Sequence, residues 1–280
     1  MTAGGYDIDL VGLMIALGMA VAASLVSAAL HLGVGRSLVL SSLRALLQLC
    51  AMGLIIRFII RADNPWLVLG LVLIMLVAAV QITLSRAQGI PCGLAFPVFL
   101  TLTVTMVVMV AVVAELIVRP DPWYSPQLLL PLTGMMLGNC VSAIAVAMTR
   151  FYESMDERRE HIGTMLALGA TPWECARPSI VSSMRLGLLP TIASLSSAGI
   201  VTIPGMMAGQ VIAGGDPLQA AKYQFVVLAA IAGLTLLADA LIMLRIYRSC
   251  FTDNDQYHAG TRAPTNRLHW SGATCRTRWT

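Results

Sequence analysis

Residues 223–246 read YQFVVLAAIAGLTLLADALIMLRI, a stretch with one charged residue, Asp239, before Arg245. A helix rises about 1.5 Å per residue and the hydrocarbon layer of a bilayer is about 30 Å thick, so about 20 apolar residues cross it. This run is long enough. Working outward, six more runs of the same kind occupy 8–32, 37–60, 65–85, 93–118, 127–149 and 187–213. Turn chemistry separates them: Gly33-Val34-Gly35, Asp63-Asn64-Pro65, Gly89-Ile90-Pro91, Arg119-Pro120-Asp121-Pro122 and Gly214-Gly215-Asp216-Pro217.

Composition agrees. The chain has 280 residues, 58% hydrophobic and 11% charged, with a mean hydropathy of +0.80. Water-soluble domains carry about 25% charged residues, so an ordinary cytosolic enzyme is excluded. The six cysteines (Cys50, Cys92, Cys140, Cys175, Cys250 and Cys275) stand singly, without disulfide-scaffold or zinc-finger spacing. Lipid offers backbone amides no partners and no segment alternates like a barrel strand, so the spans are helices. The expected fold is all-α, a polytopic transmembrane helix bundle of about seven spans with short amphipathic cytoplasmic helices. The first run follows Asp7 and Asp9 rather than basic residues and is too long for a secretory h-region.

Charge sets the orientation. With the N-terminus outside, inner segments hold Arg36, Arg86, Arg150, Arg158, Arg159, Arg177, Arg185, Arg245 and Arg248. Outer ones hold Arg57, Arg61, Arg119 and Lys222. The excess predicts a multi-pass protein of the cell inner (plasma) membrane, N-terminus outside and C-terminus cytoplasmic. Residues 1–248 form a transmembrane domain, with a polar segment at 151–178 that a permease would use for coupling to a partner. Residues 249–280, with Arg262, Arg267, Arg276 and Arg278, read as a disordered basic tail near anionic lipid.

The polar interruption between the fifth and sixth runs carries the most information. Ser154-Met155-Asp156-Glu157 has the pattern of a capping box. Ile162, Met165 and Leu166 recur at helical spacing opposite Asp156, Arg159 and Glu160. Gly169 supplies a left-handed stop, and Thr171-Pro172-Trp173-Glu174 is a second capping box with Pro at the first helical position. The expectation is helix, glycine turn, helix on the cytoplasmic side. Such a pair is either a plain connector at the membrane surface or a docking surface for a soluble subunit.

Ala167-Leu168-Gly169-Ala170-Thr171-Pro172 resembles the core of the cytoplasmic coupling loop of ABC-transporter permeases. Gly134-Met135-Met136-Leu137-Gly138-Asn139 precedes it, and the run from Ile203-Pro204-Gly205 to Ala213-Gly214 follows, with Asp216-Pro217 and Tyr223-Gln224. Together these blocks resemble the FetB family of membrane permeases, bacterial iron exporters with plant relatives linked to aluminium tolerance. The likeness is strong over 130–230 and is one of hydrophobic layout before that. One departure stands out: general ABC coupling loops carry a Glu six residues before the Gly, where this chain has Gly163, and Glu160 is the nearest acid.

The resemblance implies a permease subunit that exports a metal ion such as iron, driven by a separate ABC ATPase. Glu157, Arg158, Arg159, Glu160, Leu168, Gly169, Ala170 and Thr171 would form the coupling surface. It implies a homodimer in membrane lipid with no nucleic-acid partner, and no cofactor bound by this chain, ATP and Mg residing in the partner. The chain itself has no nucleotide-binding loop: its one lysine, Lys222, lies between Ala221 and Tyr223. It is therefore not expected to be an enzyme. A self-sufficient ion channel or secondary transporter, and a non-transporting scaffold, are the competing readings.

Polar residues at membrane depth belong on a bundle interior or a pathway. The candidates are Glu115, Asn139, Gln210 and Asp239, with Arg44 and Gln48 one turn apart on the second run. Arg44 can snorkel, Glu115 can pair with Arg119, and Asp239 has no charged neighbour before Arg245, so an interhelical bond competes with a pathway role there. Gly134 and Gly138, then Gly205 and Gly209 after Pro204, have the spacing that lets helices approach closely. The four histidines show no metal-binding spacing and the Met-Met pairs at 135–136 and 206–207 suit packing, so the metal site is unknown.

Overall fold

A computed structural model describes residues 9–31, 35–87, 94–113, 125–252 and 256–257. Nine α-helices follow in order among them: α1 Leu10–Ala29, α2 Gly35–Ala62, α3 Pro65–Arg86, α4 Ala95–Ala111, α5 Pro126–Glu157, α6 Arg159–Ala167, α7 Pro172–Ser197, α8 Gly205–Ile212 and α9 Pro217–Ile246, which ends in a 3₁₀ turn over Tyr247–Cys250. No strand forms among the described residues. The all-α membrane class stands.

Local chemistry sets the boundaries. Asn64 accepts from the Trp66 amide at 3.0 Å, with Pro65 at the first position of α3. Asp216 does the same for Gln219 at 2.9 Å ahead of Pro217 in α9. Gly214 ends the α8 turn at φ +88°, a left-handed conformation that favours glycine.

Two expectations are corrected. The Ser154 capping box does not form: α5 runs unbroken to Glu157, and the buried Ser154 hydroxyl donates to Ser179 Oγ at 2.9 Å. A tertiary partner outcompetes the local cap. The sixth run is not a separate span over 187–213 either. The second capped helix and that span are one helix, α7, which continues through Pro178 and Pro190 to Ser197; the chain then turns at Gly199 and restarts as α8. Five described helices (α1, α2, α3, α5 and α9) are long and apolar enough to cross a membrane, and α4 is a shorter apolar helix. α7 has the length but carries Glu174, Arg177 and Arg185.

α5 is the axis of the bundle, packed by α3, α4, α7 and α9, while α1 packs chiefly on α2. Leu132, Met136, Cys140, Ile144, Met148, Phe151 and Met155 follow one another at helical spacing along α5 and are fully enclosed. Val227, Leu234, Ala238, Ile242 and Met243 line the facing side of α9. Where α5, α7 and α9 meet, α7 presents Gly187: a Cβ there would lie 3.0 Å from the Ala143 carbonyl and 3.0 Å from Ala147 Cβ. Only glycine permits that approach.

Candidate functional site

The elbow between α5 and α7 projects at one end of the bundle. α5 ends at Arg158, α6 makes about two and a half turns, and Gly169 reverses the chain at φ +88°. The second capping box forms in full. Thr171 Oγ1 accepts from the Glu174 amide at 3.3 Å, and Glu174 Oε2 accepts from the Thr171 amide and hydroxyl, each at 2.8 Å. Those two donors, the backbone amide first, hold the Glu174 carboxyl below the usual carboxylate range.

Apolar and polar ties fix the elbow to the bundle. Ile162 and Cys175 are fully enclosed, with Met165, Leu166 and Ala170 packed on the same cluster. Arg158 donates to Ser179 Oγ at 3.2 Å and to the Cys175 carbonyl at 3.4 Å. Arg150 pairs with Glu157 at 3.3 Å and Glu153 at 3.8 Å. Of the eight expected coupling residues, Glu157, Arg159, Glu160, Leu168, Gly169 and Thr171 are exposed, and Arg158 and Ala170 are half-buried. Leu168, 83% exposed, stands at the tip. The apolar face of α6 is covered by the chain's own helices, so the elbow presents charge and one leucine outward.

The end of α9 reaches the same region. Trp173 and Tyr247 meet edge to face with centroids 5.4 Å apart. Thr171, Trp173, Tyr247, Arg248, Phe251 and Thr252 line a cavity of about 390 Å³. Phe251 and Tyr257 pair edge to face with centroids 6.0 Å apart, and the Thr252 amide donates to the Gln256 carbonyl at 2.9 Å. The described start of the expected tail is thus folded against the elbow, and elbow and C-terminal end share one side of the bundle.

The three expected pathway residues that are described, Asn139, Gln210 and Asp239, stand apart from one another. Asn139 is exposed and donates to its own helix at the Met135 carbonyl, 2.8 Å away. Gln210, on α8, lines a cavity of about 630 Å³ with Asp216, Gln219, Lys222 and Tyr223. Glu115 lies outside the described residues. Asp239 is fully enclosed at the α5–α7–α9 crossing. Arg44 and Gln48 are exposed. Among the glycines, a Cβ at Gly134 would meet Met75 Cε at 3.2 Å, whereas one at Gly138, Gly205 or Gly209 would meet nothing within 4 Å among the described residues. No group of three or more His, Cys, Asp or Glu among the described residues could hold a metal ion.

Sequence reasoning missed two features. One is the Ser154–Arg158–Ser179 tie, whose partners are 25 residues apart. The other is a buried polar line on α9, in which Gln224, Thr235 and Asp239 share a face. Their separations of 11 and 4 residues are multiples of the helical repeat, the signal that could have revealed them.

A family model described as "Uncharacterised protein family (UPF0014)" matches residues 10–251. A UPF0014 membrane protein of Synechocystis sp. is 33% identical over 76% of this chain and 82% of its own length. The "Probable iron export permease protein FetB" of Escherichia coli is 29% identical over 90% of this chain and 95% of its own. The UPF0014 membrane protein STAR2 of Oryza sativa subsp. japonica is 30% identical over 79% and 76%. No solved structure matches the chain.

Proposed function

The chain belongs to the UPF0014 family, and on that premise we propose that it is the permease subunit of an ABC-type transporter that exports a metal ion such as iron. The resemblance to the E. coli protein named as an iron export permease supports the cargo class. The observation that carries the mechanism is the elbow: an exposed glycine-hinged tip whose base is locked to both α5 and α7. A push on that tip is transmitted to two long helices at once.

In this reading a separate ATPase, holding ATP and Mg, docks on residues 151–178. Its closure tilts α5 and α7 and biases the bundle between inward- and outward-open states. A single chain supplies half of the pathway, so the working unit is a homodimer. The lipid-like outer faces of α1 and α2 leave ample surface for lipid and for a second copy. The elbow and the C-terminus are then cytoplasmic and the membrane is the inner (plasma) membrane.

The test is co-purification with an ATP-binding-cassette protein, followed by cargo-stimulated ATP hydrolysis in liposomes. Gly169→Val places a β-branched residue at φ +88°, which costs about 1–2 kcal/mol locally. It should abolish coupling while insertion and dimerisation persist. Metal flux in liposomes that hold this chain and no ATPase would overturn the reading in favour of a self-sufficient channel.

A further inference from the structure

Asp239 is the one acidic side chain among the described residues at 0% exposure, and no described residue donates a hydrogen bond to either of its oxygens. Its surroundings are fixed by three helices. From α7, Gly187 presses so near that a Cβ would lie 2.8 Å from Oδ2. From α5, the titratable group that faces it is the thiol of Cys140, itself fully enclosed, beside Ala143 and Ala147. On its own helix, Thr235 one turn earlier spends its hydroxyl on the Ile231 carbonyl at 2.8 Å. The basic residues nearest in sequence on α7 and α9, Arg185 and Arg245, are exposed. α4 reaches α9 through Met109 at Gly233 and brings no charge there.

A carboxylate removed from water survives as an anion only if donors or a counter-charge replace its solvation. Here the enclosing groups are a glycine, two alanines, a thiol and a backbone carbonyl, which is itself an acceptor. A metal ion would need further ligands, and none of the required clusters exists among the described residues. The counter-ion that needs no coordination shell is a proton.

We propose that Asp239 is a proton-exchange site. It carries a proton while α5, α7 and α9 are closed around Gly187, and it surrenders that proton to water when α7 moves away from α9. The exchange is Asp–COOH to Asp–COO⁻ plus a hydrated proton, with no other bond altered. That this exchange accompanies transport rests on the permease reading; the protonated state of the closed bundle does not.

The test uses the full-length chain in liposomes and infrared difference spectroscopy of wild type against Asp239→Asn. The expected result is a carbonyl band of a protonated carboxyl group in the wild type at neutral pH, lost at strongly alkaline pH, absent from Asp239→Asn and restored, shifted, in Asp239→Glu. If the Asn variant does not fold, the wild-type minus Glu difference still isolates the band. A parallel melting series should show the wild-type midpoint falling as pH rises. No protonated-carboxyl band in the wild type at neutral pH, or a midpoint insensitive to alkali, overturns the proposal. Either failure leaves ATPase docking at the elbow untouched, and failure of docking leaves the band in place.

Discussion

α2 and α5 are both apolar enough to cross a membrane, yet 6% of the membrane-crossing part of one is buried and 56% of the other. Apolarity therefore does not decide which helix is central. Lipid tails are as apolar as leucine, so greasy side chains gain little by leaving them, and close packing decides instead. α5 offers small residues beside its large ones, with Ala143 and Ala147 against Gly187 of α7. α2 leaves Leu40, Leu47, Leu54 and Phe58 exposed along one face and Leu49 on the opposite one. α5 is a helix for protein neighbours and α2 is a helix for lipid or a second copy.

That contrast can be broken most forcefully at Phe151, which is fully enclosed beside the elbow. Phe151→Ala should cost about 4 kcal/mol in a denaturation series in detergent, through the cavity it leaves. Gly187→Val comes next. It drives a branched side chain onto Asp239, the Ala143 carbonyl and Ala147, and about 3 kcal/mol of overpacking should appear as a lowered melting point.

Thr171→Ala removes both hydroxyl hydrogen bonds of the cap at the exposed elbow and should cost about 1 kcal/mol. The same cap has a pH signature. Because the Glu174 carboxyl is held below its ordinary range, its stabilising contribution is fully present above the unfolded value of about 4.3 and is lost as pH falls through the lowered folded one. Amide exchange at the start of α7 should differ most between wild type and Glu174→Gln near neutrality, and the two should converge in acid. The smallest effect belongs to Phe58→Ala on α2. At 64% exposure it should change monomer stability by less than about 0.5 kcal/mol, and a large effect would mean that its face is covered by another copy.

The sequence spelled out what depends on neighbours along the chain. The breaks at Asn64-Pro65 and Asp216-Pro217, the left-handed Gly169 and the Thr171–Glu174 box are short-range chemistry and appear where their residues place them. What depends on residues far apart was hidden. Ser154 has a perfect local pattern for a cap, but Ser179 and Arg158 claim that neighbourhood, so α5 does not stop there. Pro178 and Pro190 look like breakers, yet α7 absorbs both. Gly187 continues a buried repeat of small residues on α7, Ser179, Ser183, Gly187 and Thr191, that holds a single glycine and sits at a close crossing, whereas the glycine pair at Gly205 and Gly209 meets nothing within 4 Å among the described residues.

The uninterrupted course of α5 has a mechanical consequence. Its 32 residues form a stiff strut about 48 Å long. Pivoted near one end, such a strut swings the opposite end sideways by about 4 Å for a tilt of about 5°. In the proposed transporter, leverage of that size would let a modest nudge at the elbow part side chains on the far face of the bilayer.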